Sequence, residues 1–244
     1  MDAILDARGL TKRFAALVVL NEVDFAIAPG EAIGIVGPNG AGKTTLLNVL
    51  SGAYPPNAGS VAFAGHDVTK LDAAERNRRG IARSHQVPRP FGGMTVFENL
   101  HVAAAIGGQF SGPAANDICV EALALCGMIK LANRRADTLG LLDRKRLEMA
   151  RALATDPKLI LLDEIGGGLT DAEAQELVLI IRSINARGVA VVWIEHIVHI
   201  LLQVVTRLVC MDAGRILADG EPRAVMRNPE VISAYLGSGA ESAA

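Results

Sequence analysis

The sequence is poor in cysteine and carries no surplus of charge. Cys119, Cys126 and Cys210 are the only cysteines in 244 residues. Their odd number and their spacing fit neither a disulfide framework nor a zinc site, which points to a reducing compartment. Basic residues number 24 and acidic residues 26, a formal charge of −2, so the basic footprint of a nucleic-acid binder is missing. Asp2, Asp6 and Arg8 break up the first apolar residues, and no secretory leader is expected there. A long apolar run free of charge is missing too. The stretch 189–211 comes nearest, but it contains Glu195, His196, His199, Gln203 and Arg207. Charge in mid-membrane is costly, so the stretch reads as strand, helix and strand of a folded core.

Half of the residues are hydrophobic, which is ample for one large domain or a domain with an inserted subdomain. The most informative stretch is Gly37-Pro38-Asn39-Gly40-Ala41-Gly42-Lys43-Thr44, which fits the phosphate-loop pattern G-x-x-x-x-G-K-[ST]. Its glycines let backbone N–H groups curl around a phosphate chain. Lys43 is suited to the outer phosphates and the Thr44 hydroxyl to Mg²⁺; the neighbouring Thr45 belongs to the same binding set. Residues 32–36 read as a buried strand entering the loop. A helix over 43–50 would aim its positive end at the same anion.

The rest of the chain alternates strand and helix around a helical interruption. Strands are expected over 3–10 and 17–28, near 61–63 and over 81–84, with a short helix over 72–79. From Val87 the character changes, with Pro88, Pro90, Gly92 and Gly93 followed by helical patterns over 96–105, 117–131 and 144–155. Residues 158–163 then form a continuous apolar strand of the kind buried in a parallel sheet. A helix over 172–186, a strand over 189–194, a helix over 198–206, strands over 208–211 and 216–218 and a helix over 230–236 follow. Residues 237–244 read as a flexible tail.

The strand Leu159-Ile160-Leu161-Leu162-Asp163-Glu164 delivers two carboxylates at its C-terminal end, where parallel sheets bind ligands. Asp163 is suited to hold Mg²⁺ directly or through water, and Glu164 to activate the attacking water as general base. His196 ends the next strand and is either a γ-phosphate sensor or an ordinary capped polar group. Gln86, just before the helical stretch, is a candidate for Mg²⁺ or water contact against a simple solvated loop residue. Phe14, one of six phenylalanines, is a candidate adenine platform or a core residue.

This set of motifs, in this order and spanning nearly the whole chain, resembles the ATP-binding subunits of ABC transporters. The resemblance implies an α/β P-loop NTPase fold: a mainly parallel central sheet, an antiparallel β arm and a helical subdomain inserted at about 88–155 of a single domain over 1–236. It implies that Phe14 stacks adenine, that Gln86 couples the site to membrane subunits, that His196 is the switch histidine, and that Gly168-Leu169-Thr170-Asp171 crosses to a partner. Met94-Thr95-Val96-Phe97-Glu98-Asn99-Leu100, Ile194-Glu195-His196 and Ala234-Tyr235-Leu236-Gly237 are similar to the branched-chain amino-acid importers of bacteria. By that likeness, ATP and Mg²⁺ sit between two cassettes. The cassettes drive two transmembrane permeases, fed by a periplasmic solute-binding protein, from the cytoplasmic face of the bacterial inner membrane. ATPase subunits for lipid or other small-solute transport, and non-transport clamp proteins, are the alternatives. A phosphate-transferring kinase is disfavoured, because Glu164 is placed for water and no acceptor site is evident.

The chain departs from the family at its signature. Where Leu-Ser-Gly-Gly-Gln is usual, it has Leu139-Gly140-Leu141-Leu142-Asp143: no serine hydroxyl, a bulky Leu142 and an added carboxylate. The N–H groups at the start of the following helix, with Arg144, Lys145 and Arg146, are expected to compensate. Ile165 stands where Pro is frequent, and Thr170 where Asp is. These departures favour a heterodimer over a homodimer, with the site that uses this signature the weaker one.

Overall fold

The computed structural model describes residues 3–84 and 87–240. Two sheets share the chain. The first is antiparallel, in the order β2-β1-β4-β5, from β1 (Leu5–Phe14), β2 (Leu17–Ile27), β4 (Ala58–Phe63) and β5 (His66–Asp67). The second has six strands, built from β3 (Ala32–Val36), β6 (Ile81–Arg83), β7 (Leu159–Asp163), β8 (Ala190–Ile194), β9 (Arg207–Asp212) and β10 (Arg215–Gly220). Its order is β10-β9-β3-β8-β7-β6. All neighbours in it run parallel except β10, which pairs antiparallel with β9.

The continuous apolar strands are buried on both faces, and their period of two divides the core. Ile33, Ile35, Leu159, Leu161, Val192 and Ile194 face the antiparallel sheet and α1 (Lys43–Leu50). Ala32, Val36, Ile160, Leu162, Val191 and Trp193 face the opposite way, into a core shared with the helices. Those helices are α3 (Val96–Ile106), α4 (Gly112–Leu125), α5 (Leu141–Leu153), α6 (Asp171–Ala186), α7 (Val198–Leu201), α8 (Pro222–Met226) and α9 (Pro229–Ala240); α2 (Ala73–Arg78) contributes no residue to that core. The helices α3, α4 and α5 pack on one another in the chain segment between β6 and β7. Among the described residues, no helix is long and apolar enough to cross a membrane.

Capping boxes explain three helix starts. Asp72 with Glu75, Thr95 with Glu98 and Thr170 with Glu173 each exchange side-chain and backbone hydrogen bonds. All three cysteines are buried. Burial pushes the Cys119 and Cys210 thiols up to about 11 and Cys126 to about 12, which leaves them unreactive.

The structure moves several boundaries. β1 runs on to Phe14 because its polar end still pairs with β2, Phe14 opposite Leu17, across register shifts. α4 begins at Gly112 with Pro113 in its first turn and stops at Leu125; Gly127, at φ +67°, turns the chain away. α5 begins at Leu141 rather than 144, with Gly140 as its N-cap. α7 is a single turn. α9 continues to Ala240, through the start of the expected tail: Gly237 and Gly239 weaken a helix but keep the backbone donors that proline would remove.

α1 is anchored from behind by Arg76, which is fully buried. Its guanidinium donates to the Val49 and Leu50 carbonyls at 2.8 and 2.9 Å and to those of Thr69 and Leu71 at 3.0 and 3.2 Å. A cation on the last carbonyls of a helix satisfies orphan acceptors and opposes the negative end of the dipole. Burial lowers the Arg76 pKa to about 10. Arg76→Ala is expected to lower unfolding free energy by roughly 3 kcal/mol, read from urea denaturation; a loss below roughly 1 kcal/mol would mean that water replaces the guanidinium at those carbonyls.

Candidate active site

β3 ends at Val36 and the chain enters a tight loop before α1. Only glycine fits two of its positions. Gly37 has φ +144°, and a Cβ there would lie 2.1 Å from the Met211 carbonyl oxygen; Gly42 has φ +99° and would meet the Val19 oxygen at 2.7 Å. The loop is therefore pressed between β2 and β9, beside a cavity of about 190 Å³. Val19, the loop residues Asn39, Gly40, Ala41, Gly42, Lys43, Thr44 and Thr45, and Glu164 line it. α1 has no acidic residue in its first turn and no side-chain cap, so its amide end is left for an anion.

Lys43 is buried, and its ammonium donates to the carbonyls of Gly37 at 2.7 Å and Pro38 at 2.9 Å. Burial lowers its pKa, against the pull of Glu164 and Asp163. Register brings those carboxylates close: Ile35, Ile194 and Asp163 lie level across β3, β8 and β7. Thr44 Oγ1 donates to Asp163 Oδ1 at 3.4 Å. These two hard oxygens fit Mg²⁺, which is held by few protein ligands and completed by phosphate and water. Among the described residues no group of three or more His, Cys, Asp or Glu could hold a metal alone.

Glu164 follows at φ +48°, a left-handed conformation that costs a non-glycine residue about 1–3 kcal/mol. Its backbone N–H donates to the Ile194 carbonyl at 2.9 Å. Its Oε1 lies 2.8 Å from His196 Nε2. A carboxylate at the cavity wall, oriented by a histidine, has the geometry of a general base. Glu195, unremarked by sequence reasoning except as part of a motif, is the clamp beneath this pair. It is buried, and it accepts from the Gly166 and His196 backbone N–H groups, both at 2.9 Å. It thereby ties the loop after Glu164 to the loop bearing His196.

The remaining expectations divide. Phe14 is exposed, not a core residue, and stands at the tip of the β1–β2 hairpin. Tyr54 meets its ring edge-on at a centroid distance of 5.4 Å, and Lys12 Nζ lies 5.2 Å from the ring centroid. It does not line the loop cavity. Gln86 lies outside the described residues. The cations expected to compensate for the altered signature are already engaged. Arg144 donates to the Leu139 and Asp137 carbonyls at 2.9 and 3.1 Å. Lys145 is buried and faces Glu195, and Arg146 pairs with Asp143 and with Glu176 on α6. Helical spacing points these three side chains in different directions, so they do not act as one patch. Tyr235, part of the C-terminal motif, was missed as a contact: the Gly37 backbone hydrogen-bonds its oxygen. A larger cavity of about 390 Å³ lies beside α4 and α6, but its Glu121 and Arg187 are paired with each other; converging chemistry, not size, picks out the site.

Sequence and fold are both similar to those of known proteins. A family model described as ABC transporter matches residues 20–166, and one described as branched-chain amino acid ATP-binding cassette transporter matches residues 215–241. The high-affinity branched-chain amino acid transport ATP-binding protein BraF of Pseudomonas aeruginosa is 35% identical, over 96% of this chain and 98% of its own. Its counterpart LivG of Escherichia coli K12 has the same identity and coverage. The sulfate/thiosulfate import ATP-binding protein CysA of Bordetella pertussis is 37% identical over 95% of this chain and 66% of its own. Among solved structures, the ADP conformation of an ATP-binding cassette of an ABC transporter superposes with a TM-score of 0.89 at 30% identity, covering 97% of this chain and all of that one. A nucleotide-free cassette gives 0.88 at 29%, covering 96% and 99%. These matches show the family: the chain is a member of the ABC transporter family, an ATP-binding cassette with ATPase chemistry.

Proposed function

We propose that this cassette powers an importer of branched-chain or related amino acids, bound peripherally at the cytoplasmic face of a bacterial inner membrane. The observation that carries this reading is the C-terminal segment. Residues 215–241 match the branched-chain model, and Tyr235 within them contacts the phosphate loop at Gly37, so the segment that marks the branch also touches the ATP site. Two permease subunits, fed by a periplasmic binding protein, are the proposed route for the solute. An apolar cavity of about 540 Å³ on α3, lined by Met94, Phe97, His101 and Val102 among others, supports a docking surface there.

In the proposed cycle, Lys43 exchanges the Gly37 and Pro38 carbonyls for the outer phosphates of ATP. The loop amides and the α1 N-terminus hold the phosphate chain, with Gly37, Pro38, Asn39, Gly40, Ala41, Gly42, Thr44 and Thr45 forming the cradle. Phe14 offers its exposed ring to adenine. Thr44 and Asp163, with Gln86, would hold Mg²⁺, which neutralises charge developing on the phosphoryl oxygens. Glu164 takes the proton of the attacking water. His196 orients Glu164 and registers the departure of the γ-phosphate.

No residue of 139–146 lines the phosphate-loop cavity. That supports closure by the signature of a second cassette. With Arg144, Lys145 and Arg146 engaged elsewhere, a partner with a standard signature is the better match, and a heterodimer follows. Glu164→Gln should keep nucleotide affinity and lose turnover by roughly 10²–10⁴-fold; undiminished hydrolysis would remove Glu164 as base. The purified chain alone should hydrolyse ATP weakly and be stimulated by its cognate second cassette. Full activity alone, equal at two sites, would exclude the heterodimer.

A further inference from the structure

Arg83 ends β6 almost buried, its side chain 12% exposed beside an Asp163 side chain 4% exposed. One terminal nitrogen donates to Asp163 Oδ2 at 3.0 Å. The other donates to Asn48 Oδ1 at 2.6 Å and Ser51 Oγ at 3.4 Å, both of α1 or its C-cap. Asn48 in turn donates to the Thr44 carbonyl at 2.8 Å. The guanidinium fork therefore spans from the end of β7 to the middle of α1; among the described residues, only its Nε is buried without a partner.

The two oxygens of Asp163 are thus divided. Oδ2 meets Arg83, and Oδ1 meets Thr44. We propose that Arg83 is the resident counter-ion of Asp163, a positioning residue that balances the carboxylate and keeps Oδ1 turned to Thr44 until Mg²⁺ arrives with nucleotide. A buried carboxylate stripped of its partner is strongly destabilising. Without Arg83, the burden of balancing Asp163 falls on the metal. Nucleotide binding then depends on Mg²⁺ more steeply, because metal-free phosphates approach an unbalanced negative charge. A lysine would preserve the charge but not the two-pronged reach.

The inference rests on Thr44 and Asp163 as the metal-holding pair, and the test separates the two. The dissociation constant of ADP is measured by calorimetry with Mg²⁺ and with EDTA, and the ratio of the two values is compared between proteins. In the unaltered chain Mg²⁺ tightens ADP binding. In Arg83→Met the ratio rises by roughly tenfold, mostly through weaker binding in EDTA, and Arg83→Lys returns it toward the original. Should Arg83→Met not fold, Arg83→Gln carries the same comparison. An unchanged ratio in a folded, neutral variant, with both constants weakened equally, would make Arg83 merely structural and overturn the inference. ADP binding in the unaltered chain that is indifferent to Mg²⁺ would overturn the metal-pair reading itself, and the inference with it.

Discussion

Thr44 and Asp163 lie 119 residues apart in the chain, yet their side chains meet at 3.4 Å. That contact depends on parallel pairing. In a parallel sheet every strand delivers its C-terminal end to the same edge. Here β8 lies between β3 and β7, so the phosphate loop and the two carboxylates flank the strand that leads into Glu195 and His196. The level register of Ile35, Ile194 and Asp163 sets the depth of all three loops. A one-residue slip would turn Asp163 to the wrong face. The strained backbone of Glu164 is sustainable only because its N–H is held by the Ile194 carbonyl.

Seen from α1, two buried arginines divide the work. Arg76 closes the C-terminal carbonyls, and Arg83 grips Asn48, Ser51 and Asp163. The helix is fixed along its length while its N-terminus stays bare. Pre-organisation of this kind places amide donors before the ligand arrives, so little reorganisation is left to binding. The cation in the loop obeys the same logic: Lys43 rests on two carbonyls of its own loop, and the proposed cycle has it exchange them for phosphate oxygens.

Much of this was legible in the sequence because it is local. The phosphate loop, the apolar run into Asp163 and Glu164, and the caps at Asp72, Thr95 and Thr170 are each written within a few residues. The strand–helix alternation gave an α/β sheet for the same reason. What was illegible is non-local. Arg76, Arg83 and Glu195 look like surface charges in sequence, and only tertiary structure buries them against carbonyls, a carboxylate and backbone amides. Tyr235 likewise reads as part of an apolar helix until the fold brings it to Gly37. Helix boundaries went astray where glycine was ambiguous: Gly112 and Gly140 start helices, whereas Gly127 ends one.

The contrast between α1 and α5 carries the case for asymmetry furthest. Both helices begin at a glycine cap that makes no side-chain hydrogen bond, so each leaves its first N–H groups unmet. α1 has no carboxylate in its first turn; α5 has Asp143 there. A carboxylate in the first turn already satisfies the positive end of the dipole and repels a second anion. Arg146 partly offsets Asp143, but it is shared with Glu176 and leaves no net positive charge for phosphate. The same chain thus has one helix terminus free of carboxylate and another that carries Asp143 in its first turn. Two copies facing each other would pair each good terminus with a poor one, whereas a partner with an uncluttered signature would complete at least one strong site.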